Sequence, residues 1–323
     1  MKSEVYSQST CIVSSVAYQY YVLGKKRAEI AESVGVSPAT LSRLLRRAKD
    51  EGIIEFRITE PYLGCCQMEE YLLHKFNLKS VIVVPVPEQY KGDEEEIKKM
   101  TALEGARYIQ RIINDGDIIG LNWGGTMYHL IQYLNPCRKV PASIITMHGS
   151  IEHSVKKFQV KSLVRRAAMS FGGSTLVTTA PGLSRNLEEH NQIINSPEYQ
   201  QMKQMYSKID ISVSGVGSIY PRMESPLLTS GYLNEEEIAE ISREKAVCDC
   251  LLRFFNEKGE ECDTSIRDRT VAIPVEEYKK IPTRVVVASG RGKAHAVMSL
   301  LKGNMLDVLI IDRELAEAVD DLT

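Results

Sequence analysis

The segment from residue 27 to residue 46, RAEIAESVGVSPATLSRLLR, constrains the fold of this chain more than any other stretch. Its apolar residues recur at helical spacing on both sides of Gly35, and glycine suits the end of a helix because it adopts the left-handed conformation easily. Ser37 is placed to cap a second helix that begins at Pro38, and Ala31 falls where the two helices would cross closely. The pattern predicts a helix-turn-helix; the alternative is a helical hairpin that serves only packing.

The second of these helices would contact DNA. In a helix-turn-helix, this helix lies in the major groove with its N-terminal residues at the base edges. The residues that we expect to approach bases are Ser37, Ala39, Thr40 and Arg43. Arg43 could bind a guanine through two hydrogen bonds. The residues that we expect at phosphates are Lys25, Lys26, Ser42, Arg46 and Arg47. A merely solvated helix face is the alternative for Arg46 and Arg47.

Charge is distributed unevenly along the chain. The net charge is −2, but residues 1–58 have a net charge of +3, so residues 59–323 have −5. A basic head on an acidic body fits a small DNA-binding module joined to a part that does not touch DNA. Proline at position 61 interrupts the preceding pattern. We therefore predict a helix-turn-helix domain over 1–58 and a second domain over 59–323.

The periodicity of apolar residues predicts the remaining elements. Residues 10–23 have the spacing of a helix, and IIEFRI at 53–58 alternates as a short wing strand would. Further helices are expected at 68–78, 93–113 and 126–134. Buried strands are expected at 80–86, 117–123, 143–147, 174–180, 209–217, 284–290 and 307–312. This alternation predicts a Rossmann-like α/β domain with a mostly parallel sheet.

Glycine-containing loops follow several of the predicted strands. Ligands bind parallel sheets beyond the carboxyl ends of the strands, where free N–H groups at helix starts attract phosphate. The loop residues proposed to bind a ligand are Gly124, Gly125 and Thr126, then Gly215, Gly217 and Ser218, then Arg291 and Lys293, with His148 and Gly149 as a fourth loop. A single loop of this kind often serves only a tight turn. Three in one parallel-sheet pattern favour a phosphorylated ligand.

Other polar residues leave alternatives open. Asp249 lies in KAVCDCLLRFF, an apolar segment that we expect to be helical, where it could accept sugar hydroxyls or pair internally. Arg267 and Arg269 are either ligand-binding cations or surface charges. The seven cysteines lack the C-x-x-C spacing of zinc and redox sites, so reduced thiols are expected.

No metal site, cofactor or membrane segment is expected. The histidines without metal-ligand spacing are His74, His129, His153, His190 and His295. No apolar run approaches the ~20 residues that span a bilayer, and the N-terminus lacks the pattern of a secretory signal. We therefore expect a cytoplasmic protein.

The chain as a whole resembles the SorC family of bacterial sugar-responsive transcriptional regulators. The segments that show the likeness are MEEYLLHKFNL with SVIVVPVP, GLNWGGTM, IDISVSGVGS, SGYLNEEEI, KAVCDCLLRFFNEKGEECDTSIRDRTVAIPVEEYKKIP and RVVVASGRGKAHAVMSLLKGNMLDVLIIDRELAEAV. The resemblance implies an N-terminal DNA-binding domain that binds a double-stranded operator. It also implies a C-terminal sensor akin to the sugar-phosphate isomerase fold, which binds a phosphorylated sugar and assembles as a homo-tetramer.

The resemblance assigns contacts with the effector by position. These are Gly124, Gly125, Thr126, Gly215, Gly217, Ser218, Asp249 and Lys293. The chain departs from the family pattern in four places. The usual W-G-R-T is Trp123-Gly124-Gly125-Thr126, paired glycines are replaced by His148-Gly149-Ser150, V-G-D-I by Val247-Cys248-Asp249-Cys250, and A-G-G by Ala288-Ser289-Gly290. These departures affect the expected ligand contacts and not the fold.

Three functions follow from these observations. The first is a transcription factor controlled by a sugar-phosphate effector. The second is a sugar-phosphate isomerase with an added DNA-binding head, because a fold alone does not decide function. Asp249 with His148 would then be the conceivable acid/base pair. The third is an N-terminal hairpin that docks a protein instead of DNA.

Overall fold

The computed structural model describes residues 9–151 and 158–323. The chain divides into two compact units, Met1–Thr59 and Glu60–Thr323. The division falls one residue beyond the boundary expected from the sequence.

Three helices form the described part of the first unit, from residue 9 onwards. They are α1 (Thr10–Ala17), α2 (Arg27–Val34) and α3 (Pro38–Asp50). A π-helical turn, Tyr18–Val22, extends α1. Gly35 ends α2 with φ of +67°, and the hydroxyl of Ser37 caps α3 by accepting a hydrogen bond from the Thr40 amide at 3.1 Å. The core contains Val13, Val16, Ala17, Ile30, Ala31, Leu41, Leu44, Leu45 and Ala48. The helix-turn-helix expected from the sequence is therefore present.

The prediction of a wing strand at 53–58 is wrong, because the structure has no strand there. Ile53 and Ile54 pack against the helical core, while Phe56 and Ile58 are exposed. A strand needs a neighbouring strand to satisfy its backbone groups. None lies in the described part of this unit, so alternation of apolar residues alone does not produce one.

A seven-stranded sheet, in which every pair of neighbours is parallel, organises the second unit. The strands of the unit are β1 (Ser80–Val84), β2 (Ile118–Leu121), β3 (Ser143–Thr146), β4 (Ser174–Leu176), β5 (Ile211–Ser214), β6 (Gly217–Ser218), β7 (Ala246–Cys250), β8 (Arg253–Asn256), β9 (Thr283–Ala288) and β10 (Val308–Asp312). The order in the large sheet is β1-β10-β9-β5-β2-β3-β4. The fold class predicted from the sequence is confirmed.

Helices cover both faces of this sheet. The helices are α4 (Tyr62–Lys75), α5 (Glu94–Ile112), α6 (Gly125–Gln132), α7 (Val160–Phe171), α8 (Leu187–Ile194), α9 (Pro197–Tyr206), α10 (Pro226–Thr229), α11 (Glu235–Arg243), α12 (Val275–Tyr278), α13 (Ala294–Lys302) and α14 (Arg313–Asp320). Successive side chains of a strand point to opposite faces. Val285 and Val287 of β9 therefore join the core beneath α5, α6 and α7, while Val286 and Ala288 join the core beneath α4, α13 and α14. This two-sided burial explains the continuous apolar runs in the sequence.

The last strand of the sheet, β4, differs from the expectation for residues 174–180. It is three residues long, and Ser174 and Thr175 are exposed. It lies at the edge of the sheet and pairs with β3 alone.

A small antiparallel sheet, β6-β7-β8, packs beside the large one. It contains Asp249 in β7, so the helix expected around this residue is wrong. Leu251 and Leu252 take positive φ values of 57° and 62° and turn the chain into β8. All five residues of β7 are buried. A short apolar run with no polar face fits a buried strand and a buried helix equally well. The spacing of its apolar residues therefore could not distinguish the two.

Candidate functional site

A cleft of about 1220 Å³ lies at the carboxyl ends of the central strands β9, β5 and β2, which are neighbours in the sheet. The chain leaves β2 towards β3 on one side and leaves β5 towards β9 on the other. The two strands thus flank a point where the direction of winding reverses. Such points are where open α/β sheets bind ligands. The three loops singled out in the sequence all reach this cleft.

The loop after β2 leaves room for a ligand. Gly124 has φ of +108°, a conformation that favours glycine. A β-carbon on Gly124 or Gly125 would have no heavy atom within 4 Å, so both face open space. Thr126, in the first turn of α6, is 6 % exposed and lines the cleft. Across the floor, a β-carbon on Gly215 would lie 4.0 Å from Cβ of Thr126, which shows how closely the loops after β2 and β5 approach.

Asp249 presents a buried carboxylate at the cleft. The residue is 4 % exposed, and Oδ1 has no hydrogen-bond partner among the described residues. Burial raises the pKa of this carboxyl to about 6, although Ser225 and the charge of Lys293 oppose the shift. A buried carboxylate whose acceptor capacity is not filled is suited to a ligand hydroxyl, because a carboxylate oxygen without a partner is costly.

Lys293 supplies a positive charge beside this carboxylate. Its ammonium group makes no ion pair within the described part of the chain, and the residue is half-buried. Burial lowers the pKa of Lys293, and the neighbouring charge of Lys98 lowers it further. Arg291 also lines the cleft but forms an ion pair with Asp321 at 2.8 Å. The arrangement therefore offers an anion a half-buried cation, Lys293, that has no direct ion pair with another described residue.

Several cleft residues were missed by the sequence analysis. They include Lys98, Asn122, His129, Arg222, Glu224 and His295. Lys98 and His129 lie on α5 and α6, and both contact Glu95: Lys98 Nζ at 2.9 Å from Oε2, and His129 Nε2 at 2.9 Å from Oε1. The only signal available for Lys98 was that its helix starts at the same edge of the sheet as the glycine loops.

Ser218 does not line the cleft but holds it together. Its hydroxyl is buried and lies 3.1 Å from the carbonyl oxygen of Tyr220 and 3.0 Å from that of Gly292. These bonds tie the loop after β5 to the loop after β9. The structure thus places Ser218 behind the cleft wall, where it positions the backbone.

His148 and Gly149 are not among the residues that line the cleft, so the fourth loop is not brought to it. His148 is 1 % exposed and bridges to Ala272, and the Gly149 amide donates to the carbonyl oxygen of Val271. A β-carbon on Gly149 would lie 2.2 Å from the carbonyl oxygen of Pro181. Close backbone packing explains this glycine, and the acid/base pair of Asp249 with His148 is not assembled in the cleft.

Arg267 and Arg269 are also outside this cleft. Arg267 pairs with Asp263 at 2.6 Å. Arg269 pairs with Glu237 and donates to the carbonyl oxygen of Ser184 at 2.8 Å. Both guanidinium groups serve internal contacts.

The DNA-binding candidates in the first unit divide by exposure. Ser37, Ala39, Ser42, Arg43, Arg46, Lys25 and Lys26 are exposed. Thr40 is 7 % exposed, and its hydroxyl lies 3.0 Å from that of Ser37 and 3.3 Å from the guanidinium of Arg43. The expectation that Thr40 approaches bases is therefore replaced by a role in the helix cap. Arg47 is half-buried and pairs with Glu51 at 2.5 Å.

The described residues, 9–151 and 158–323, contain no helix long and apolar enough to cross a membrane. Within the same residues, no three His, Cys, Asp or Glu side chains are grouped to hold a metal ion. His153, one of the histidines considered in the sequence, lies outside the described residues.

Two family models match the chain, one for each unit. Residues 60–319 match the family described as "Putative sugar-binding domain". Residues 26–55 match a winged helix-turn-helix DNA-binding family. The first match covers about four fifths of the chain and includes the three glycine-containing loops, Lys98 and Asp249.

Similar proteins span nearly the same length. A deoxyribonucleoside regulator of Bacillus subtilis is 30 % identical over 94 % of this chain and 95 % of its own. A sorbitol operon regulator of Klebsiella pneumoniae is 25 % identical over 95 % and 96 %. The full-length crystal structure of the sorbitol operon regulator SorC from Klebsiella pneumoniae has a TM-score of 0.74, with 24 % identity over 95 % of this chain and 98 % of that one.

These relatives are named as regulators of transcription and not as enzymes. The three findings indicate the same architecture, a helix-turn-helix followed by a sugar-binding domain. They are the two family matches and the full-length structural similarity. The chain belongs to the SorC family of DNA-binding transcriptional regulators with a sugar-binding domain.

Proposed function

We propose that this protein controls an operon for carbohydrate catabolism and that a phosphorylated sugar or sugar alcohol in the cleft governs its DNA binding. One observation supports this most strongly. Lys293, without an ion pair among the described residues, and Asp249, with an unpartnered carboxylate oxygen, line the same cleft as Thr126 and its glycine loop. A cation with backbone N–H groups suits a phosphate, and a buried carboxylate suits sugar hydroxyls.

Each part of the cleft has a distinct role in this proposal. The N-terminus of α6, with Gly124, Gly125 and the Thr126 hydroxyl, receives the phosphate together with Lys293. Gly215 leaves the backbone close to the ligand, and Gly217, which also lines the cleft, leaves room for the Asp249 carboxylate. Asp249 accepts hydroxyl groups and so selects a polyol. Arg291 lies at the mouth, where its pairing with Asp321 competes with binding.

The first unit supplies the DNA contacts. Arg43, near the start of α3, reads a base edge, while Arg46, Arg47, Ser42, Lys25 and Lys26 contact phosphates. Ser37 stays a base-contact candidate because it is exposed. Thr40 acts through the helix cap. The exposure of Arg43 and Arg46 on one helix supports this division.

Control of DNA binding requires two states of the assembly with different affinities for the effector. We propose a homo-oligomer, a tetramer, in which effector binding changes the spacing of the DNA-binding units on an operator. The relatives' names, a deoxyribonucleoside regulator and a sorbitol operon regulator, support a small polyol or sugar as the class of signal.

A ligand screen tests the proposal directly. The melting temperature of the full-length protein is measured with a panel of sugar phosphates and the matching free sugars, because a ligand that binds the native state raises it. We expect a phosphate ester to raise the melting temperature and its free sugar to have little effect. The active ester should also change the affinity for DNA in a gel-shift titration.

Lys293→Met should abolish the shift. The matched control is Lys302→Met, because Lys302 is exposed, lies at the opposite end of α13 from Lys293, which is its N-cap residue, and does not line the cleft. If every ester leaves both the melting temperature and the DNA affinity unchanged, the proposed effector control is wrong.

A further inference from the structure

Lys98 lines the cleft although it does not belong to any of the glycine-containing loops. It belongs to α5, which starts far from those loops in sequence, and it lines the cleft with Lys293. Two lysines facing one cleft repel each other, and burial strengthens that repulsion. The effect is visible at Lys293, whose pKa is lowered by burial and then by Lys98, against the opposing charges of Asp249, Glu224 and Asp312. An anion of charge −2 between them would relieve it.

In this structure Lys98 is held by a different partner. Its ammonium group lies 2.9 Å from Oε2 of Glu95, and Lys98 is 32 % exposed in its side chain. Oε1 of the same carboxylate lies 2.9 Å from Nε2 of His129 on α6, the helix that begins at Gly125. Glu95 thus connects the cation of α5 to the helix whose N-terminus faces the cleft.

We propose that Lys98 is a specificity-determining residue of the cleft, which exchanges Glu95 for a dianionic phosphate group of the ligand. This inference rests on the proposed function. Glu95 acts as an internal competitor, because it neutralises Lys98 while the cleft holds no anion. A ligand with a monoanionic carboxylate would gain too little electrostatic energy to displace Glu95 from Lys98. Lys98 and Lys293 together then favour phosphate esters over sugar acids.

The chain provides a close control for this residue. The next position along α5 repeats the same pair: Lys99 lies 2.6 Å from Glu96, with the same spacing and a side-chain exposure of 33 %. Lys99 and Glu96 do not line the cleft. Any effect of removing a helix salt bridge should therefore appear equally in Lys98→Met and Lys99→Met, because exposed pairs of this kind contribute little to stability.

Inorganic phosphate is the probe, titrated into the full-length protein at constant ionic strength and followed by melting temperature. Lys98→Met should raise the apparent Kd for phosphate at least about tenfold, the loss expected for one charge-assisted contact. Lys99→Met should stay within about twofold of the wild type. Acetate, a monoanion, should bind the wild type much more weakly than phosphate and should be insensitive to Lys98→Met.

A second variant tests the competition. Glu95→Gln removes the competing charge and should tighten phosphate binding by about two- to fivefold, the range for an exposed ion pair. The gain should vanish when Lys98→Met is added, because no cation is then released. Glu96→Gln is the matched control and should change nothing.

The outcomes separate this inference from the proposed function. If Lys293→Met loses phosphate binding while Lys98→Met behaves like Lys99→Met, the role of Lys98 is wrong and the proposed function stands. Tightening by Glu95→Gln that persists without Lys98 would also overturn the exchange. If neither phosphate nor any sugar phosphate stabilises the wild type, both the inference and the proposed function fail.

Discussion

The α-carbon of Gly217 lies so close to the carboxylate of Asp249 that a β-carbon at position 217 would be 2.0 Å from Oδ1. The two residues are register partners in the small antiparallel sheet, Gly217 in β6 and Asp249 in β7. The glycine is therefore required by the neighbouring carboxylate and not by its own backbone conformation, since its φ is not in the left-handed region. It allows a buried acid to sit at the wall of the cleft.

Substitution of Gly217 should consequently affect ligand binding through Asp249. In Gly217→Ala the added methyl group must push the carboxylate aside, because real β-carbons do not approach other atoms to 2.0 Å. We expect the affinity for the active sugar phosphate, measured by isothermal titration calorimetry, to fall at least about tenfold, which is the loss of one hydrogen bond to a charged group. The affinity for DNA without ligand should change less than twofold. An unchanged ligand affinity would show that Asp249 does not contact the ligand.

Asp249 itself should destabilise the unliganded protein at neutral pH. Burial raises its folded-state pKa to about 6 from the ordinary 3.8, so folding favours the protonated form and stability falls as pH rises through this interval. Asp249→Asn removes the charge. It should raise the free energy of unfolding by up to about 3 kcal/mol at pH 8, and by about half as much at pH 5, where much of the wild-type carboxyl is already protonated.

Urea unfolding at the two pH values measures this difference. The control is Asp307→Asn: Asp307 pairs with Arg284 at 2.8 Å and its pKa is lowered, so this variant should lose stability at both pH values. Asp249→Asn should also weaken sugar-phosphate binding. A stability gain that is the same at pH 5 and pH 8 would contradict the origin in a buried charge.

The sequence predicts the position of the cleft well because its determinants are local. Strands β2, β5 and β9 are largely buried on both faces, and each is followed by a glycine-containing loop. What the sequence does not contain is the order of the strands. Their adjacency in the sheet, which turns three weak signals into one cleft, depends on how the whole chain winds.

The residues that were misjudged have a shared cause, namely contacts with distant parts of the chain. Lys98 sits in EEEIKKM, which reads as an ordinary solvated helix face, and only the fold brings it near Lys293. His148 follows a strand just as Trp123 does, yet its chain pairs with the segment around Ala272 and turns away from the cleft. Thr40 has the position of a base-reading residue, but its hydroxyl is used by the cap of its own helix.

His148 should make the protein sensitive to acid. It is fully buried, its Nδ1–H donates to the carbonyl oxygen of Gly149 at 2.7 Å, and Nε2 has no partner among the described residues. Burial lowers its pKa to about 4 from 6.5. The neutral ring is favoured in the folded state, so the stabilisation is complete above pH 6.5 and is lost as pH falls towards 4. Between pH 7.5 and pH 5 the loss should be about 2 kcal/mol.

The variant His148→Gln isolates this contribution. Its absolute stability should be lower, because the glutamine leaves polar atoms in an apolar site. Its decline in urea-unfolding free energy between pH 7.5 and pH 5 should nevertheless be smaller than that of the wild type by about 2 kcal/mol. Parallel curves for wild type and His148→Gln would contradict the assignment.

Arg43 and Arg46 should differ in the kind of DNA contact that they make. Both are exposed on α3, but Arg43 is near its N-terminus, hydrogen-bonded to Thr40, whereas Arg46 lies one turn further along. The N-terminal part of such a helix meets base edges, and later positions meet phosphates. We expect Arg43→Ala to weaken the free energy of binding to the preferred DNA sequence by about 1–3 kcal/mol. It should also relax the preference for a particular base at one position.

Arg46→Ala should instead weaken binding to all sequences about equally and reduce the slope of log affinity against log salt by about one. The measurement is a set of binding isotherms at several salt concentrations, on DNA selected by the wild-type protein from a random pool and on a scrambled version of it. Glu32→Ala, at an exposed position on α2, is the control and should leave the sequence preference intact. If Arg43→Ala lowers the affinity for selected and scrambled DNA by the same factor, Arg43 is a phosphate contact, and the base-reading role passes to Ser37 or Ala39, which are also exposed at the start of the helix.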